Sequence, residues 1–293
     1  MSRRLLRKQL IQAIETGDMA QVAAIAADDP TIVNAANSHG HAPLGAAVGT
    51  GCLKRVEFLV HLGANPRHVY HGRTLLDAAA FAGHGEIFRY LVALGLQPTV
   101  HHAAAIGDIT LLARMLEADP ALRGPSAAGG RWRITPLQAA VIGGNDKAVA
   151  FLVTRGGVFV DAENHNGHTA LALVPECSVK HTRAPIAEML LAHGANANAQ
   201  AGHHGGTVLH RAVIHGDAAL ARVLLEHRAD PDRQDQSGKT PLHHAVSRNR
   251  QLAALLMEYQ PNLALHSRDG ETPVQYARRL QKQAIARLLD EAI

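Results

Sequence analysis

The chain has 293 residues, of which 47% are hydrophobic and only 3% aromatic, so a core has to be built from Ala, Leu, Val and Ile. With 18% charged residues and a formal charge of +4 (histidine neutral), the composition argues against a disordered polar chain and lends little weight to a nucleic-acid binder. No stretch reaches the length of a membrane span, and the two cysteines, Cys52 and Cys177, are far apart in sequence, which argues against a disulfide framework and for an intracellular chain.

The first helix pair is predicted over residues 4–36. It starts directly on a helix, and Arg3, Arg4, Arg7 and Lys8 give it the polar outer face that a terminal cap requires. Gln9, Gln12, Glu15 and Asp18 interrupt the apolar residues that follow, so the segment does not read as a signal peptide and a cytoplasmic location is expected. Further pairs are predicted over 37–68, 69–97, 98–122, 130–161, 164–199, 202–234 and 235–266. A C-terminal cap follows over 267–293, where Arg278, Arg279, Gln281, Lys282 and Gln283 raise the polarity. These units make one elongated all-α domain over residues 1–293, on the order of 80 Å long if neighbouring helices pack roughly 8–10 Å apart.

A phrase recurs at a spacing of about 33 residues. Its clearest copies are Thr135-Pro136-Leu137-Gln138-Ala139-Ala140 and Thr240-Pro241-Leu242-His243-His244-Ala245, and degraded copies begin at Ala42, Thr74, Thr207 and Thr272. Pro at the second position suits the first turn of a helix, where its missing N–H has no partner to lose. Pairs such as Ala46-Ala47 and Ala139-Ala140 let neighbouring helices approach, while Val149, Leu152 and Val153 mark the apolar face of an outer helix.

The phrase resembles the Thr-Pro-Leu-His-x-Ala signature of ankyrin repeats, and the resemblance covers nearly the whole chain. It implies a solenoid of stacked helix-turn-helix units joined by short hairpin fingers, binding other proteins through finger tips and the concave inner helices. It also implies Gly between the two helices of a unit. Gly51, Gly83, Gly107, Gly144 and Gly216 fit, whereas Asn249 and Gln281 do not. The second helix should end in Gly-Ala, as in Gly63-Ala64-Asn65-Pro66 and Gly194-Ala195-Asn196. Arg228-Ala229-Asp230-Pro231 departs from this, so its helix is expected to end less cleanly. Asp235-Gln236-Ser237-Gly238-Lys239 has the turn chemistry of a finger.

Three irregularities break the period. The phrase read as Pro98-Thr99-Val100-His101 follows Thr74 after only 24 positions, so a finger is expected to be missing there. Extra length lies in 123–130, and more between Pro175 and Pro185. Gly17-Asp18 and Asp29-Pro30 recur as Gly107-Asp108 and Asp119-Pro120, which suggests that the fourth unit is a second cap-like start and that two arrays were joined near residue 98.

Histidine, with 20 copies, is the residue most able to carry chemistry. The resemblance gives a structural role to His101, His210 and His243, read as the phrase histidines. No His-Glu-x-x-His spacing, phosphate loop or Gly-x-Ser-x-Gly elbow occurs, so neither catalytic residues, nor a metal, nor a cofactor are expected. The partner-binding positions implied by the finger register are His39, His41, Tyr70, His71, Arg73, Arg131, Trp132, Arg133, His165, His168, His203, His204, Lys239 and Arg268. Trp132, flanked by Arg131 and Arg133 after a Gly-rich stretch, has the composition of an interface anchor.

The histidines would begin to gain charge below about pH 6.5, carrying the net charge to on the order of +20. An acidic protein surface or peptide is therefore the expected partner of a monomeric, non-catalytic scaffold. Two other readings stay open. One is an effector or inhibitor that blocks an enzyme through 123–133 and 175–185. The other is a nucleic-acid or anionic-surface binder, disfavoured by sparse aromatic residues.

Overall fold

A computed structural model describes residues 2–37, 40–69, 73–124, 134–155, 158–201 and 205–291. The described residues form stacked helix pairs. They run α1 (Arg3–Thr16) and α2 (Met19–Asp28), α3 (Pro43–Gly49) and α4 (Leu53–His61), α5 (Leu75–Phe81) and α6 (Gly85–Ala93), then α7 (Val100–Ile106) and α8 (Ile109–Ala118). Next come α9 (Pro136–Gly143) and α10 (Asp146–Thr154), and a unit in which a 3-10 stretch (Leu171–Glu176) takes the place of the inner helix before α11 (Arg183–Ala192). The array continues with α12 (Val208–His215) and α13 (Ala218–Glu226), α14 (Pro241–Arg248) and α15 (Arg250–Met257), and α16 (Pro273–Arg279) and α17 (Gln283–Asp290). Each inner element packs on the next, from α1 through α3, α5, α7 and α9, across the 3-10 stretch, to α12, α14 and α16.

The inner helices are short because their ends are written into the sequence. Thr74, Thr99, Thr135, Thr207, Thr240 and Thr272 all take extended backbone at the N-cap and form capping boxes. The third residue of the helix closes each box by accepting the threonine N–H. That residue is Asp77, His102, Gln138, His210, His243 or Gln275. A backbone N–H can only donate, so His210 and His243 must accept at Nδ1 and carry their proton on Nε2. That proton then reaches into the next unit. His210 Nε2 donates to the Lys239 carbonyl at 3.1 Å and His243 Nε2 to the Glu271 carbonyl at 3.0 Å. Gln138 does the same through its amide, at 2.7 Å to the Ala162 carbonyl and 3.0 Å to that of His168. One side chain thus caps its own helix and holds the base of the following finger.

The fourth unit corrects the expected register. Its N-cap is Thr99, so His102 and not His101 occupies the phrase position. His101 instead stands where the other copies have Leu44, Leu76, Leu137, Leu209 and Leu242, and is 2% exposed with no hydrogen-bond partner for either ring nitrogen. No finger precedes this unit: the segment 94–99 makes the helix-closing bonds of Leu94, Gly95 and Leu96 and enters α7 directly. With no finger carbonyl to receive a donor, the preceding unit carries an acceptor. Asp77 takes the Thr74 N–H at 2.6 Å and His102 Nε2 at 2.9 Å.

The fourth unit repeats the first in detail. Gly17 and Gly107 end their helices in the left-handed region, and Asp18 and Asp108 cap the next helix. Asp29 and Asp119 share one conformation and start the 3-10 turns Pro30–Asn34 and Pro120–Arg123.

Helix ends follow the expected chemistry with one correction. Arg228 itself adopts φ 64, and Ala229 N–H then reaches the Leu224 carbonyl at 2.9 Å, as Ala64 reaches Leu59 and Ala195 reaches Leu190. The helix closes as cleanly as its glycine counterparts, and the strain is carried by Arg228. The irregular segment after Pro175 is also shorter than expected, because α11 already begins at Arg183. Residues 177–182 form a strap over the preceding unit: Ser178 N–H donates to the Ile142 carbonyl, and Val179 and Cys177 close over Gly144. Cys52 and Cys177 are both free thiols.

Helices α7 and α9 approach closely at Gly143. A methyl group on Gly143 would lie 2.2 Å from the Ala105 carbonyl oxygen, so Gly143→Ala has to push the two backbones apart. We expect it to lower stability by about 2 kcal/mol, read from denaturant unfolding. A second expectation concerns acid. Burial holds His101 and His210 down to about 4, below the ordinary 6.5 of an unfolded histidine. Both are therefore neutral when folded and take up protons on unfolding. Their contribution is fully present above pH 6.5 and is lost as the pH falls toward 4, by up to about 1.4 kcal/mol per pH unit for each. His101→Leu should raise the melting temperature at neutral pH and flatten its fall in acid. An unchanged acid profile in that variant would remove His101 from the account.

Candidate functional site

Four of the described fingers are built by one recurring loop. Asn37, Asn164, Asp235 and Ser267 each pair their N–H with the carbonyl four residues on, at His41, His168, Lys239 and Glu271. In each loop a glycine N–H returns to the first residue: Gly40, Gly167, Gly238 and Gly270, all with positive φ. A polar first residue locks the loop further. Asp235 Oδ1 accepts from Ser237 N–H, Ser237 Oγ and Lys239 N–H, while its other oxygen accepts from His244 Nε2 at 2.8 Å. Those bonds to Ser237, His244 and Lys239 outweigh its partial burial and hold the Asp235 carboxyl at about 2. Adjacent fingers are also tied, since Arg268 N–H donates to the Ser237 carbonyl. The tips are thus fixed in backbone while Gln236, Ser237, Arg268 and Asp269 stay exposed.

Six of the sequence-derived positions fall in the described residues. His41 and His165 are exposed on their fingers, His168 is half-buried at a finger base, and Arg73 is exposed just before the Thr74 cap. Lys239 sits 5.0 Å from the centroid of the Tyr276 ring, and Arg268 is exposed at the last finger. His39, Tyr70, His71, Arg131, Trp132, Arg133, His203 and His204 lie outside the described residues.

Sequence reasoning passed over the residue just after the phrase's fourth position, which is Arg211, His244 and Tyr276 in successive units. Each is half-buried, His244 and Tyr276 beside a finger and Arg211 beside the end of the 3-10 stretch. Arg211 pairs with Glu176, His244 with Asp235, and Tyr276 carries Lys239 and Arg279 over its ring, each at 5.0 Å. The signal was available as one recurring position holding large polar or aromatic side chains. A second residue passed over is His215, whose imidazole desolvation, the largest cause, keeps below its ordinary value, aided by the charges of Arg211, Arg183 and Arg248 and opposed by Glu176.

These groups have little to offer a reaction. His102, His210 and His243 have both ring nitrogens engaged, leaving no lone pair for a general base. His101 has unengaged nitrogens but is sealed in the core. Among the described residues no group of three or more His, Cys, Asp or Glu is placed to hold a metal ion, and no helix is long and apolar enough to cross a membrane. Burial holds His101, His210 and His243 below their ordinary value, so these three add nothing to the charge gained in mild acid.

Known proteins resemble the chain in this architecture. A family model described as ankyrin repeats (3 copies) matches residues 100–201 and 209–292, and a second, ankyrin repeats (many copies), matches 45–92. The B-cell lymphoma 3 protein homolog of Mus musculus is 28% identical over 221 residues, covering 75% of this chain and 42% of its own length. The ankyrin repeat and SOCS box protein 16 of the same organism is 30% identical over 217 residues, covering 70% and 47%. The chain therefore spans less than half the length of either relative. An ankyrin repeat domain from Acinetobacter baumannii AYE superposes with a TM-score of 0.58 at 27% identity, over 66% of this chain and 96% of that one.

Proposed function

Since the chain belongs to the ankyrin-repeat family, whose repeats are generally protein–protein interaction modules, we propose that it is a non-catalytic scaffold holding a partner protein along its finger row and the adjoining inner helices. The observation that carries this reading is the division of labour in the six units with a threonine cap. The Thr cap and the side chain at the third helical position consume the buried hydrogen-bonding groups, and the finger backbone is locked by its first residue. What remains for a partner is a row of tips fixed in backbone that carry exposed polar side chains such as Gln236, Ser237 and Arg268, so their backbone loses little conformational freedom on binding. The partner is acidic, the scaffold works as a monomer in the cytoplasm, and the nine units act as one array over residues 1–293.

A second reading has its own support. The strap 177–182 ties the fifth unit to the sixth and brings Glu176 and Arg183 beside the seventh, an irregular element of the kind that would block an enzyme's active site.

Affinity capture from the native source, followed by direct titration of the purified partner, tests the proposal. Trp132→Ala should weaken binding by roughly 2 kcal/mol with the fold intact. Lys239→Glu should weaken it in the same direction, and an activity assay on the recovered partner separates a scaffold from an inhibitor. Wild-type affinity in both variants would place the interface elsewhere, and a tight, salt-sensitive complex with nucleic acid instead of protein would overturn the reading.

A further inference from the structure

The first unit encloses an open cavity of about 600 Å³. One wall is the start of α1, which presents Arg3, Arg4 and Arg7, and the other runs from Thr31 and Asn34 in the 3-10 turn to Ala36. Arg7 lies three and four residues beyond Arg4 and Arg3, so the three side chains share one side of the helix. No carboxylate lines the cavity among the described residues. Two of the guanidinium groups are already aimed. Arg3 donates to Thr31 Oγ1 at 2.6 Å and stands 3.4 Å from Asp29, while Arg7 donates to the Ala36 carbonyl at 2.9 Å. A hydroxyl and a carbonyl orient a cation without neutralising it, and a guanidinium with five N–H donors keeps others to offer. Arg4 is exposed and makes no hydrogen bond or ion pair with a described residue. Among the described residues Asp29 is the only carboxylate within ion-pair distance of the three, so two positive charges are left without one.

The fold does not call for these arginines. The fourth unit repeats the capping aspartates and the 3-10 turn of the first, yet α7 has 7 residues where α1 has 14. Both helices end at equivalent glycines, Gly17 and Gly107, so the additional turns lie at the start of α1, and these carry Arg3, Arg4 and Arg7. Solvating a terminal face requires polarity, but not three guanidinium groups around one hollow.

We propose that this cavity binds a phosphate monoester, carried by a small metabolite or by a lipid headgroup. The site is separate from the finger row and does not rest on the partner-binding reading. A monoester carries close to two negative charges at neutral pH and three strong acceptor oxygens. It thus matches the two uncompensated charges and gives each guanidinium an oxygen, in hydrogen bonds strengthened by charge on both sides. A carboxylate brings one charge and two oxygens, and leaves a guanidinium unmet. The volume lies within the range of small-molecule sites, so there is room for an organic body beside the half-buried Ala35 and Ala36.

Isothermal titration calorimetry of the full chain with phenyl phosphate at low salt tests the site. Saturable binding is expected, with phenyl sulfate, a similar shape bearing one charge, several-fold weaker and benzoate weaker still. Arg4→Gln should reduce affinity about tenfold, and Arg4→Lys, which keeps the charge but loses the planar fork, by less. Arg114→Gln, the same charge change on the exposed side of α8, should leave it unaltered. Circular dichroism checks the fold, and Arg3→Gln serves if the Arg4 variant does not fold. Flotation with phosphatidylcholine vesicles containing phosphatidic acid separates the two sources. Vesicle binding that Arg4→Gln removes assigns the monoester to a lipid, and binding of phenyl phosphate without the vesicles assigns it to a metabolite. Binding of neither overturns the proposal, as does equal affinity in wild type and a folded arginine variant, or benzoate as tight as phenyl phosphate. A preference for an oligonucleotide over phenyl phosphate that Arg4→Gln leaves unchanged overturns it too. Partner capture is read separately, so the scaffold reading survives the loss of this site.

Discussion

A pair of helices as short as these cannot hide its apolar face by itself, and every other feature of the molecule answers that constraint. Leu112, Val149, Leu190, Leu224 and Leu256 are buried only because the next pair lies over them. The inner helices go further, since α9 buries Gln138 as well as Leu137 and Ala140. A helix enclosed on so many sides has to satisfy its polar ends from within. The capping threonine and the side chain at the third helical position do so in six units, and Gln138, His210 and His243 continue into the neighbour's finger.

This explains a histidine content that would otherwise suggest chemistry. The phrase histidines act as doubly engaged connectors, with one nitrogen accepting from their own helix cap and the other donating to the next unit or, at His102, to Asp77 behind it. Burial keeps His210 and His243 neutral, so they link units without importing charge into the stack. The exchange at the fourth unit follows from the same rule. When the finger is absent its carbonyl is absent too, and a carboxylate acceptor in the preceding unit replaces a donor.

Function is thereby displaced to what the stack leaves outside. Finger tips contribute little to the core, and the residue just after the phrase's fourth position changes from the buried Ala103 and Ala139 to the half-buried Arg211, His244 and Tyr276 in later units. The later units use those side chains in two ways. Tyr276 gathers Lys239 and Arg279 over one ring, and Arg183 and Arg211 pair with Asp217 and Glu176 across the sixth and seventh units. Both arrangements draw on residues from different units, and the second depends on the strap that interrupts the repeat.

The architecture was legible in the sequence because its causes are local. A threonine before Pro136 or Pro241 and a glycine at 51, 83, 144 or 216 specify helix ends within a few residues, and the absent finger could be read from spacing alone. Register in the fourth unit was harder. Either His101 or His102 fits a degraded phrase, and only packing shows that the first lies in the core and the second caps the helix. The strap and the pairing of Arg183 with Asp217 and of Arg211 with Glu176 were decided by the tertiary structure. Each depends on distances between residues remote in sequence, and neither periodicity nor composition carries information about which side chains the stacking brings together.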